Sequence, residues 1–158
     1  MPPPYTGRCL CGATQYRVGE EPIMVYACHC TDCQKRSGAS FGLSVWVPRA
    51  AIEVTKGSAE AHTTTSAEGK VQHIRACGEC RIRLWTEPPK KPNVGIVRGG
   101  TLDDTSWLQP VAHIWTRSAQ PWFALPKGVA CYEGQPASMD ELGELWRQYR
   151  ERRGKASG

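Results

Sequence analysis

The sequence predicts a mainly β fold closed by a single C-terminal helix, on three observations. Gly and Pro number 16 and 12 among 158 residues, a density that implies many turns and short elements rather than long helices. Between those turns lie short runs rich in Val, Ile, Thr, Tyr and Trp, the residues that fit a pleated surface. Helical spacing with a start signal occurs once, near the end of the chain.

In order, residues 7–18 read as a hairpin with its turn at Gly12, and residues 23–30 as a strand running into three cysteines. Residues 34–39 are a polar loop or one helical turn, after which residues 40–47 resume strand character until Pro48. Residues 51–56 and 62–66 form two strands around Gly57-Ser58, and residues 67–70 turn into a strand over 71–76. Residues 81–86 and 94–98 are strands around a charged, Pro-rich loop, and residues 112–115 are a short strand beyond the turn cluster at 99–104. Ser138 with Glu141 fits a capping box, and Leu142, Leu145, Trp146 and Tyr149 make one apolar stripe. The length prior gives one domain with its own core. A β domain is expected over 1–137, a helix over 138–153 docked on it, and a disordered tail over 154–158.

The net charge of +5 is concentrated in Arg147, Arg150, Arg152, Arg153 and Lys155, so the rest is near neutral and a broad nucleic-acid surface is not expected. No stretch approaches the about 20 apolar residues of a membrane span. Met1-Pro2-Pro3-Pro4-Tyr5 lacks the basic start and apolar run of a secretory signal. A cytoplasmic protein with reduced thiols is therefore expected.

The chemistry gathers at Cys28-His29-Cys30-Thr31-Asp32-Cys33. In an extended segment Cys28 and Cys30 project to one side while His29 points away, and the C-x-x-C turn brings Cys33 to the same centre. Three thiolates leave a fourth position open on zinc, the arrangement of a zinc site that does chemistry. Cys9-Leu10-Cys11 and Cys77-Gly78-Glu79-Cys80 supply four more thiols, enough to close a structural tetrahedron. Cys131 is left over, either a free thiol or the fourth ligand of the three-cysteine site. A disulfide framework is the competing reading of eight cysteines, disfavoured by the clustered C-x-C pairs and the missing signal. A thioredoxin-like redox pair expects a βαβ setting, which is absent from the pattern.

These motifs resemble the family of glutathione-dependent formaldehyde-activating enzymes, which includes the centromere protein V type domain. The resemblance runs from Gly7-Arg8-Cys9-Leu10-Cys11-Gly12 through Cys28 to Gln34, Cys77 to Cys80, Gly100-Thr101-Leu102-Asp103-Asp104 and His113-Ile114-Trp115 to Pro121-Trp122. It implies small stacked antiparallel sheets like those of the Mss4 family, and two zincs per chain. By the same resemblance Cys9, Cys11, Cys77 and Cys80 match a structural zinc, and Cys28, Cys30 and Cys33 a catalytic one. The implied activity is a carbon–sulfur lyase that adds glutathione to a small aldehyde such as formaldehyde, giving S-hydroxymethylglutathione, or the reverse. The chain departs from the pattern at Arg81, where the family has glycine. If that position needs a positive φ, Arg meets a steric cost there.

Arg36, with Lys35 beside it, is a candidate for attracting the glutathione carboxylates, against the alternative of a solvated surface charge. His113, Trp115 and Trp122 are weighed as a pocket mouth against plain core packing, which is favoured. Asp103-Asp104, His62 and His73 receive no role. Two readings from other classes stand beside the enzyme. One is a zinc-stabilised binding module, which needs a closed second site. The other is a glutathione carrier without turnover.

Overall fold

The computed structural model describes residues 2–156. The expected first hairpin forms as β1 (Tyr5–Arg8) and β2 (Gln15–Val18), paired antiparallel, and β5 (Ile52–Lys56) completes a three-stranded sheet on the far side of β2. Alternation is clean in β1, where Tyr5 and Gly7 are buried and Thr6 and Arg8 exposed, the mark of a strand with one face on a core.

Two compact units divide the chain. The first takes the residues up to Pro22 and Val45–Leu108. Beside the three-stranded sheet it holds the antiparallel series β6 (Ala59–Thr65), β7 (Val71–Cys77), β8 (Arg83–Glu87) and β9 (Val94–Arg98). Its core is built on large rings and branched chains: Tyr16 and Trp85 meet at 5.9 Å between centroids, among buried Val18, Val47, Leu84 and Val97. Burying such side chains contributes about 1.5–3 kcal/mol each before entropy is counted. Glu87 is held at the end of β8 by the Trp85 indole N–H at 3.0 Å and the guanidinium groups of Arg49 and Arg75.

The second unit takes Ile23–Ser44 and the chain from Gln109 onward. Its central strand is β3 (Met24–Cys28), buried at every position, as its unbroken apolar run requires. Beside it β10 (Ala112–Ile114) runs parallel, and β11 (Ala130–Tyr132) runs parallel to β10 in turn. Neither β11 nor the parallel direction of these pairings is legible in the sequence pattern. The strand expected over 112–115 stops at Ile114 because Trp115 takes a left-handed φ of 58°. β4 (Gly42–Pro48) divides between the units, residues 42–44 going with the second.

The loop or single turn expected over 34–39 is a helix that starts earlier, α1 (Thr31–Ser37), capped by Cys30 and ended by Gly38 with a φ of 63°. The C-terminal helix α2 (Asp140–Ala156) starts where Ser138 Oγ accepts the Asp140 N–H at 3.1 Å. Leu142 and Trp146 are buried, while Leu145 and Tyr149 are half-buried. The helix runs past the expected end at 153, with Arg153 and Lys155 in a last turn where cations favour the helix dipole. The rest of the expected tail, residues 157 and 158, lies outside the described residues. Among the described residues no helix is long and apolar enough to cross a membrane.

Candidate metal centres

Two groups of thiols converge, one in each unit. In the first unit Cys9 and Cys11 follow β1, while Cys77 ends β7 and Cys80 lies in the turn before β8. The four sulfurs lie within 4.8 Å of one another. Cys9 Sγ is 3.5 Å from Cys11 Sγ, which is 3.9 Å from Cys77 Sγ. A tetrahedron with metal–sulfur bonds of about 2.3 Å has edges of about 3.8 Å. A disulfide requires about 2.05 Å. All eight cysteines are unbridged.

Backbone amides turn towards these sulfurs. The Thr14 N–H donates to Cys9 Sγ at 3.3 Å and the Glu79 N–H to Cys77 Sγ at 3.4 Å, bonds that favour a thiolate. The Thr14 hydroxyl and the backbone N–H groups of Cys80 and Glu79 pull Cys77 down to about 6. The backbone N–H groups of Cys11 and Ile82 lower Cys80 as well. Cys11 accepts an N–H from Ala13, yet the neighbouring Cys9 and Cys80 thiols push it up to about 11. Four sulfurs this close cannot all ionise without a compensating cation, and their donor set suits a soft or borderline divalent ion such as zinc.

The turn carrying Cys80 reverses through Arg81, whose φ is 62°. The position where the family resemblance places glycine does need a left-handed backbone. A side chain there costs about 1–2 kcal/mol. The turn nevertheless closes, with the Arg81 N–H on Cys77 O at 3.1 Å, the Cys77 N–H on Ile82 O at 3.0 Å, and the Arg81 guanidinium paired with Glu60.

In the second unit Cys28 ends β3, Cys30 caps α1 and Cys33 sits in its first turn, their sulfurs within 4.8 Å of one another. The Cys33 N–H donates to Cys30 Sγ at 3.3 Å. Hydrogen bonding to the Cys30 and Cys33 thiols, followed by burial, holds the Cys28 thiol well above the ordinary thiol range. The group has three members, and no histidine, carboxylate or fourth thiol joins it among the described residues. Cys131 is exposed on β11, with its Sγ 3.5 Å from Val129 O.

His29, between two of these cysteines, is turned away from them as alternation predicts. Its Nε2 lies 2.9 Å from His113 Nδ1, and both rings are enclosed with Phe123. Burial keeps both imidazoles below the ordinary histidine range, His29 adding to the effect at His113, so the pair is neutral at pH 7. Among the described residues His29 Nδ1 is buried and has no hydrogen-bond partner. A bare lone pair is tolerated there better than a bare N–H, which favours the tautomer in which Nε2 carries the proton and donates it to His113. Of the three residues weighed as a pocket mouth, His113 is in the core. Trp115 donates its indole N–H to Gln135 at 3.2 Å, and Trp122 is 73% exposed, against the expectation that tryptophan here packs inside.

Arg36 is on α1, its guanidinium 3.7 Å from the Asp32 carboxylate. Asp103 accepts from Arg8 at 2.6 Å, and Asp104 accepts the Ser106 N–H at 2.8 Å. One feature that spacing misses is Gln34, whose amide bonds three partners around the second group. It follows Cys33 directly, but adjacency in sequence does not reveal what an amide will reach.

Fold and sites together define a mainly β protein with two cysteine clusters able to bind metal ions, one of four thiols and one of three. Residues 4–118 match the family model of the glutathione-dependent formaldehyde-activating enzyme. The chain belongs to that family. A crystal structure of a Rhodobacter sphaeroides protein aligns with 16% identity, covering 80% of this chain and 98% of that one with a TM-score of 0.49. No curated protein matches the chain.

Proposed function

We propose that the chain is a zinc-dependent carbon–sulfur lyase that joins a low-molecular-weight thiol, glutathione in the first instance, to formaldehyde or a similar small aldehyde, and also runs the reverse step. The observation that carries this reading is the difference between the clusters, four thiols in one and three in the other. In this reading Cys9, Cys11, Cys77 and Cys80 hold a structural zinc, and Cys28, Cys30 and Cys33 hold the zinc at which the reaction occurs.

Bound there, zinc would lower the pKa of a coordinated thiol and so supply a thiolate at neutral pH. The sulfur adds to the carbonyl carbon, a C–S bond forms as the C=O π bond opens, and the proton given up by the thiol ends on the oxygen, so thiol and aldehyde combine with nothing lost. The product is S-hydroxymethylglutathione. Three cysteine thiolates donate enough charge to make water activation the weaker option, so Cys28, Cys30 and Cys33 favour thiol exchange. Arg36 is assigned to the glutathione carboxylates, which then compete with Asp32 for its guanidinium. The reduced thiols suit a cytoplasmic setting.

Zinc stoichiometry and X-ray absorption at the zinc edge, on protein purified without added metal, test the proposal. Two zincs are expected, one of them gaining a sulfur neighbour when glutathione is added. One zinc, or two four-ligand sites indifferent to thiol, refutes it and points to the binding module. Thiol binding without accelerated adduct formation points to the carrier.

A further inference from the structure

Three cysteines converge on one point in the second unit, yet the elements that carry them are tied together by little packing. Cys28 ends β3, whereas Cys30 and Cys33 belong to α1, a helix of seven residues with none buried. Such a helix has no fully buried side chain to fix its direction, so its angle to β3, and with it the distance from Cys28 to the other two sulfurs, leans on polar ties.

His29 is anchored on the strand side. Its backbone N–H donates to Ile114 O at 2.9 Å, and its ring is bonded to His113 on β10 at 2.9 Å. Gln34 makes the tie from α1. Its Nε2 donates to His29 O at 2.7 Å and to Ser118 O at 2.8 Å, while its Oε1 accepts from Gln120 Nε2 at 2.8 Å. Both amide protons are used and the oxygen is engaged. One side chain thus joins α1 to the residue between Cys28 and Cys30, and to the segment that follows β10. That segment leads to Phe123, whose ring lies 5.1 Å from His29 between centroids.

We infer that Gln34 is a positioning residue for the three-cysteine centre: it holds α1 at the angle that brings Cys33 and Cys30 onto Cys28, and it fixes residues 118–120 against the same helix. The inference rests on the proposed reading of Cys28, Cys30 and Cys33 as a metal centre. Glutamine is required because two acceptors, the carbonyl oxygens of His29 and Ser118, must be met by two donors on one atom. A glutamate of the same shape would set a carboxylate oxygen against both carbonyls.

The test uses cobalt(II) in place of zinc, with the spectrum of Cys28→Ser subtracted from that of the unsubstituted protein to isolate the second centre. For Gln34→Glu, competition with a chromophoric chelator should show metal affinity at the second centre lowered about 10- to 100-fold, the usual effect of removing an outer partner of a metal site. Its visible d–d bands should shift as the three sulfurs move relative to one another, while the first centre keeps its affinity and spectrum. Gln34→Met, which removes the bonds without adding repulsion, should move both readouts in the same direction by a smaller factor. Gln34→Met decides the matter if Gln34→Glu does not fold. Variants that bind two equivalents with unaltered affinity and bands overturn the role of Gln34 and leave the two-centre reading standing. An unsubstituted protein that binds only one equivalent overturns both.

Discussion

Replacing Gly57 by alanine probes how the four-cysteine cluster is held. Gly57 lies between β5 and β6 with a φ of 69°, and a Cβ built there falls 2.2 Å from Ala13 O, 3.0 Å from Ala13 C and 3.2 Å from Thr14 Cα. All three are backbone atoms, so no side chain can swing aside, and the carbonyl must retreat by about 1 Å to reach ordinary van der Waals contact. The next residue is a hub for the cluster. Thr14 receives the Cys9 N–H on its carbonyl at 3.1 Å, donates its own N–H to Cys9 Sγ at 3.3 Å, and donates its hydroxyl to Ser58 O at 2.8 Å.

The left-handed backbone alone costs alanine about 1–2 kcal/mol, of which the stiffer unfolded chain offsets about 0.4–1 kcal/mol. Displacing Thr14 weakens three bonds, each contributing about 1 kcal/mol. A loss of about 3 kcal/mol results, and for a chain of this length that lowers the Tm by about 10 °C. Gly69→Ala is the control: its φ is 79°, but among the described residues nothing lies within 4 Å of the added Cβ. It carries only the backbone cost, about 1 kcal/mol. Thermal unfolding of the zinc-loaded proteins, followed by circular dichroism, separates the two. Equal losses in Gly57→Ala and Gly69→Ala, or a Gly57→Ala within about 3 °C of the unsubstituted protein, would refute the argument from close approach.

Cys28→Ser should hold one zinc instead of two and lose adduct formation at a nearly unchanged Tm, whereas Cys77→Ser should lose its zinc together with much of its stability; metal analysis beside calorimetry checks both. At Arg81, glycine relieves the left-handed strain and alanine does not, so Arg81→Gly should exceed Arg81→Ala in urea stability by about 1 kcal/mol. Glu87 pays a desolvation cost in its partly buried site, but the Trp85 N–H and Arg49 outweigh it and hold its carboxyl below the usual range. A depressed carboxyl stabilises the fold above its unfolded pKa, about 4.3, and loses that contribution as pH falls through the folded value. Urea midpoints compared at pH 6 and pH 4 should therefore fall more for the unsubstituted protein than for Glu87→Gln. Arg36→Leu should raise the KM for glutathione about tenfold with little change in kcat, and a KM that does not move removes Arg36 from the substrate site.

Which sulfurs are neighbours within each run was legible from the chain alone, because C-x-C and C-x-x-C spacings place them together through geometry that two to four residues determine; that Cys11 meets Cys77, 66 positions further on, is decided by the tertiary structure. Most strands and the start of α2 were legible as well, where alternation, turn residues and a cap act locally. Arg81 was legible as an anomaly, and its left-handed φ supplies the reason. What spacing leaves open is whatever depends on residues far apart. β11 is a three-residue strand with no pattern of its own, recognisable only through its parallel pairing with β10. α1 begins at Thr31 because Cys30 caps it, a role that a reading of Cys30 as metal ligand alone does not suggest. The His29–His113 bond joins residues 84 apart, and the Gln34 amide reaches residues 84 and 86 positions away. Local sequence names the sulfurs that each run brings together. Tertiary structure decides the angle at which they meet, since hydrogen bonds between distant segments, rather than the short helix itself, carry the energy that fixes it.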